Sequence, residues 1–302
     1  MRSLVSLSIA VTLCGAPGAA SADRVHDGRA RVRDVLRASA DWTPPRNTIV
    51  YVVGGNFDYG PLRRGYMSPA RKAADQLGLA VVDSSANPNG SVADNAARIR
   101  RDLDRILSVR PGVTILVAAN SKGYADWAEA MGDAPETVQR ARDQIGVFAL
   151  TPNWGGTRLA GFVLEHRWLE RTVARLFSRK RSPWDRKSLE DITPAARQRA
   201  NARNAARPRV TTRLIVATAQ VSRRAKTDLM VPLAAQIPTD APHERWHFDR
   251  ATHGSFTMAG LGWSRSTRLH RAALMKLSDS INGRARRAAP RRSGSRAIRA
   301  SR

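Results

Sequence analysis

Gly112-Val-Thr-Ile-Leu-Val-Ala-Ala-Asn-Ser121-Lys-Gly-Tyr-Ala-Asp-Trp-Ala-Glu-Ala-Met131 reads as a buried strand driven straight into a helix, with a serine at the corner. Val113 to Ala118 is a short apolar run rich in β-branched residues, the pattern of a strand covered on both faces. Tyr124 to Met131 has helical composition and stops near Gly132. Only Ala119 to Gly123 remain to make the turn. So tight a turn lifts the Ser121 hydroxyl clear of the sheet edge and strains its backbone. It needs small residues two places to either side, here Ala119 and Gly123. The expected role of Ser121 is a nucleophile. The same corner has two plainer readings, a helix N-cap serine in any doubly wound α/β protein and a helix N-terminus that holds an anion.

Working outward, strands and helices alternate. Thr48 to Val53 reads as a strand ending in Gly54-Gly55-Asn56-Phe57, Pro69 to Leu77 as a helix and Leu79 to Val82 as a second strand. Val92 to Ser108 puts Ala96, Ile99, Leu103, Ile106 and Leu107 on one face, which predicts an amphipathic helix. After the corner come a strand at Gly146–Leu150, the loop Thr151 to Thr157, strands at Arg213–Ala219 and Trp246–Phe248, and a helix from Arg265 to Ile281. This order predicts an α/β fold, a mostly parallel sheet with helices on both faces. Residues 158–208 interrupt it with a basic helical insertion whose apolar stripe is Leu169, Val173 and Leu176.

The ends of the chain differ in kind. Met1-Arg2, the apolar Leu4–Leu13 and Ala20-Ser21-Ala22 predict a secretory signal peptide over residues 1–22, hence export to the periplasm or the medium. The single cysteine, Cys14, lies inside it, and Leu13 before it argues against lipid anchoring; the mature chain would have no cysteine to pair. Residues 23–47 read as a polar, arginine-rich N-terminal extension. The chain has 302 residues, and its net charge of +26 comes mostly from arginine, with eight arginines and no acid in Gly283–Arg302. That segment predicts a disordered basic tail, solvated or in weak contact with anionic surfaces. There is no internal repeat, no zinc-type cysteine or histidine spacing, no glycine-rich dinucleotide fingerprint and no dedicated nucleic-acid module.

A serine hydroxyl becomes a useful nucleophile when a base removes its proton, and a carboxylate must orient that base. The chain offers both after Ser121. Asp228-Leu-Met-Val-Pro-Leu233 follows the Arg213–Ala219 strand, and Thr252-His253-Gly-Ser-Phe256 follows the last one. Asp240 and Asp249 compete as acids, and His243 and His247 as bases. Asp240 has no strand to position it, Asp249 shares a short loop with His253, and His247 lies within a strand. His166 falls in the insertion and His270 in the terminal helix, neither well placed to reach Ser121.

The ordered set Val52-Val-Gly-Gly-Asn-Phe57, Asn120-Ser-Lys-Gly123, Pro152-Asn-Trp-Gly-Gly-Thr157, Asp228–Leu233 and Thr252–Phe256 resembles the α/β-hydrolase superfamily. The likeness is to secreted lipase- and esterase-type members and spans roughly residues 48–282. It implies an α/β-hydrolase fold with 158–208 as a helical lid, and Ser121, Asp228 and His253 as nucleophile, acid and base. It implies an oxyanion hole of backbone N–H groups from Lys122 and from Asn56 or Phe57, with the Lys122 side chain left to solvent. It also implies an acyl pocket lined by Trp154, with Trp168, Leu169 and Leu176 facing inward. The chain departs from the family pattern at Ala119, where a glycine is usual, and at Gly54-Gly55, where many relatives have His-Gly. The activity implied is hydrolysis of a small-molecule or lipid carboxylic ester, without metal or cofactor. Other outcomes on the same triad are a polyester depolymerase, an amidase or an acyltransferase. A non-catalytic polyanion-binding protein is the rival of another class.

Overall fold

The computed structural model describes residues 24–56, 67–178, 183–205, 213–222, 224, 226–228, 230–239, 243–253 and 263–288. The predicted leader, Phe57, Asp240 and everything after Ala288 lie outside them. Seven strands form one sheet: β1 (Arg24–Asp27), β2 (Thr48–Val53), β3 (Ala80–Asp83), β4 (Thr114–Asn120), β5 (Ile145–Leu150), β6 (Leu214–Gln220) and β7 (Glu244–Asp249). Their order is β1-β7-β6-β5-β4-β2-β3, and every pairing is parallel.

Four central strands, β2, β4, β5 and β6, are buried at every residue. This is why they read as unbroken apolar runs rather than alternating ones. The period of two still decides which helices each side chain meets. Val50, Val52, Leu116, Phe148 and Ile215 face one layer with α1 (Gly28–Ala38), α2 (Ser68–Gln76) and α10 (Trp263–Ala288). Tyr51, Ile115, Val117, Val147 and Val216 face the other, with α3 (Val92–Val109), α4 (Lys122–Gly132) and α5 (Glu136–Arg140).

Two boundaries differ from the expectation. Residues 23–47 are no mere extension. Val25 and its neighbours pair with β7 as the sheet's edge strand, and Val32 and Val35 of α1 enter the core. Four polar-rich residues on an edge carry little hydrophobic signal, because one side of an edge strand faces water. At the other end α10 runs on past Ile281 and through Gly283 to Ala288, so the tail's first residues continue the helix.

The insertion forms α6 (Arg158–Glu165), α7 (Arg167–Phe177), α8 (Lys187–Glu190) and α9 (Pro194–Ala205). It has a small core of its own, built on Ala160, Val163, Leu189 and Ile192, with Leu169 and Val173 packed against it. The insertion is bolted to the sheet's α3 side. Asp191 Oδ2 accepts from the Val92 N–H at 2.7 Å, and the Asn89 side chain donates to the Phe177 carbonyl at 3.0 Å. Trp168 and Leu176 do not face inward; both are exposed. A stripe at helical spacing shows which face is apolar but not how far the partner beneath it extends.

His270 is wholly buried on α10, its ring edge against Phe148 at 5.6 Å and its Nδ1 2.9 Å from the Ser266 carbonyl. Burial pulls its pKa from the ordinary 6.5 down to about 4. Between those values the unfolded chain takes up a proton that the folded chain refuses. Stability therefore falls as pH drops through that window, by about 3 kcal/mol from this residue. His270→Leu is expected to lose that part of the acid sensitivity in urea melts between pH 4 and 7. Equal pH dependence in the two proteins would refute it.

Candidate active site

Ser121 sits between β4 and α4 with φ 51° and ψ −121°, and its side chain makes no capping bond to the helix. An N-cap serine has extended backbone and caps with its hydroxyl; this one does neither. A non-glycine residue there stores on the order of 1–3 kcal/mol of strain, tolerated because its surroundings over-determine it. The surroundings are explicit. The Ser121 N–H donates to the Leu150 carbonyl at 3.0 Å, and its own carbonyl accepts from Asn153 and Tyr124, each at 3.1 Å. Gly123 lets the start of α4 press on the end of β2. A Cβ there would stand 2.4 Å from the Gly54 carbonyl oxygen and 2.7 Å from that of Val53. This contact seats the first turn of α4 against the end of β2, just before Asn56, which is itself buried.

Two strands along, the loop after β6 turns back on itself. Asp228 Oδ1 accepts from the N–H groups of Met230 (2.9 Å) and Val231 (2.6 Å), which leaves Oδ2 to face His253 Nδ1 at 2.6 Å. The two backbones join as well, the His253 N–H donating to the Asp228 carbonyl at 2.9 Å. Asp228 is completely buried and His253 nearly so. An imidazole that donates from Nδ1 to a carboxylate presents Nε2 as its basic nitrogen. Asp249 is engaged elsewhere: its Oδ1 accepts from Gln220 and lies 3.3 Å from His247 Nε2. The structure thus brings Asp228 and His253 together and puts Ser121, Asp228 and His253 all beyond the carboxyl ends of β4, β6 and β7, on one edge of the sheet.

Trp154 is buried in the second core layer, its ring centroid 6.3 Å from that of Tyr124. It packs rather than standing open as a pocket wall. Its loop ties the parts together: the Gly155 N–H donates to the Ala235 carbonyl at 2.8 Å, and the Thr157 hydroxyl to that of Met230.

The Lys122 side chain is not left to solvent. It is 0% exposed and its Nζ lies 2.9 Å and 3.0 Å from the two oxygens of Asp126, which is 1% exposed. Asn95 of α3 donates to Asp126 Oδ2 at 2.9 Å, and buried Arg197 of α9 adds positive potential. Desolvation pushes the Asp126 carboxyl up to about 6, against the pull of Lys122, Asn95 and Arg197.

The chain superposes on a metagenomic carboxyl esterase with a TM-score of 0.64 at 16% identity, over 87% of this chain and 93% of the other. It superposes on the mature form of a Bacillus licheniformis lipase with a TM-score of 0.56 at 14% identity, over 76% and 94%. This is an α/β-hydrolase-like fold. No family model matches the sequence, and no curated protein matches it significantly.

Within the α/β-hydrolase-like frame, two further buried polar residues hold loops at the carboxyl edge of the sheet. Gln236 clamps the Asp228 loop to β6, accepting from the Ala219 N–H at 2.8 Å and donating to the carbonyls of Ala219 (3.0 Å) and Val231 (2.9 Å). Arg197 braces the Trp154 loop, its guanidinium 3.5 Å from the Trp154 carbonyl and 3.0 Å from Asn201 Oδ1. Neither carries a local signal; glutamine and arginine are surface residues by default.

Proposed function

We propose that the chain is an exported serine hydrolase that cleaves a carboxylic ester, with Ser121 as nucleophile, His253 as base and Asp228 as its orienting carboxylate. The observation that carries this is the strained Ser121 corner standing on the same sheet edge as the Asp228–His253 pair. The structural likeness to a carboxyl esterase and a lipase supports an ester as substrate.

His253 Nε2 takes the hydroxyl proton as Ser121 Oγ bonds to the ester carbonyl carbon. The oxyanion is held by the Lys122 N–H and an N–H of the Asn56 loop. His253 then gives the proton to the departing alcohol, leaving an acyl-serine. Water attacks that carbonyl while passing its proton to His253; the acid leaves and Ser121 recovers its proton. Asp228 stays ionised throughout and stabilises the transient imidazolium.

A fluorophosphonate probe tests the assignment. It is expected to label one peptide, containing Ser121, and labelling elsewhere or none at all would overturn it. The loop contact has its own test. Gly123→Ala is expected to push the Gly54–Asn56 loop back and to lower kcat roughly a hundredfold, with KM little changed, since a misplacement of about 1 Å has that effect. Wild-type kcat in that variant would remove the loop from the oxyanion hole.

A further inference from the structure

Among the described residues six large hydrophobic side chains are exposed, and four of them fall within eighteen residues: Leu159 and Phe162 on α6, Trp168 and Leu176 on α7. Trp168 is 67% exposed and Leu176 51%. A single exposed leucine needs no explanation, but four on two consecutive, mutually packed helices are a concentration found nowhere else among the described residues. On α7 the inner stripe, Leu169 and Val173, is already spent on the insertion's own core. The outer residues Arg167, Trp168, Arg171, Thr172, Arg175 and Leu176 all face water.

The charge of this face is one-sided. Arg158, Arg167, Arg171 and Arg175 are exposed and form no ion pair among the described residues. Of the two acids on these helices, Glu170 is paired with Arg186, and only Glu165 is exposed. Arginines interleaved with a tryptophan and aliphatic side chains are the composition of a helix that lies in a lipid headgroup layer. There the apolar groups enter the acyl boundary and the guanidiniums meet phosphates. The net charge of the whole chain, +26, likewise complements an anionic surface. No helix among the described residues is long and apolar enough to cross a membrane.

We infer that the outer face of α6 and α7 docks the protein onto an anionic lipid bilayer. The docking is independent of the chemistry proposed for Ser121.

The test is co-sedimentation of the full chain with vesicles of phosphatidylcholine alone and of phosphatidylcholine mixed equally with phosphatidylglycerol. The wild type is expected to pellet with the mixed vesicles and not with the neutral ones. Trp168→Ser/Leu176→Ser keeps the net charge unchanged and removes only exposed side chains, so it leaves the core packing intact. It is expected to weaken partitioning about tenfold or more. Arg171→Gln/Arg175→Gln is expected to weaken it by a similar factor and to flatten its salt dependence. Ser121→Ala is expected to bind as the wild type does, which separates docking from catalysis. Equal binding to neutral vesicles, no binding by the wild type, or undiminished binding by the Trp168/Leu176 variant would each overturn the proposal. The last outcome would reduce the effect to net charge.

Discussion

Ser121→Ala is expected to unfold at the wild-type temperature and to hydrolyse p-nitrophenyl esters at least about a thousandfold more slowly, with KM nearly unchanged. The backbone at residue 121 is held by Leu150, Asn153 and Tyr124 through main-chain groups alone, so alanine inherits the same corner and the same strain. What disappears is the oxygen proposed to form the acyl bond. Residues that act as one catalytic unit lose most of the rate on removal of any one, and residual turnover reflects binding and oxyanion donors. Activity within tenfold of wild type would remove Ser121 from the mechanism, whatever His253 and Asp228 do.

The second large effect is on stability. Lys122→Met is expected to destabilise the fold by about 3–5 kcal/mol, because it strands the Asp126 carboxylate in an interior that water does not reach. For a domain of this size that corresponds to a fall in Tm on the order of 10 °C. Lys122→Met/Asp126→Leu removes both charges and is expected to recover most of the loss, since Asn95 keeps its bond to the Asn87 carbonyl at 2.8 Å. Thermal unfolding of the two variants side by side measures the difference. A single variant within 1 kcal/mol of wild type, on the order of one surface contact, would mean that the pair contributes no more than an exposed ion pair.

These two effects differ in how visible their causes are in the chain. Ser121 stands out because β-branched residues before it and small residues around it are local features. Asp228 and His253 follow from the order of strand ends, which alternation also exposes. Lys122, next to Ser121, looks like an ordinary exposed lysine. Its burial depends on Asp126 four residues on, on Asn95 from another helix and on Arg197 from the insertion, and no period encodes that convergence. The edge strand was hidden for the opposite reason: Arg24–Asp27 has too little apolar content to signal a strand, and its place depends on a partner some 220 residues later. The insertion was legible as helical and basic, but the direction in which Trp168 and Leu176 point was not.

That early strand also sets a condition on how the molecule is made. β1 has only β7 to pair with, α1 rests on α10, and Glu244 gathers Arg31 and Lys276 from those same two helices. The first described residues therefore wait for nearly the whole polypeptide to be synthesised before they find their place. Such non-local closure is slow relative to local helix formation. Until it happens, the bare side of β7 is an open template for another chain. A chaperone that shields Arg24–Ala38 during that interval, or a tag that keeps it from docking, would decide yield without touching Ser121.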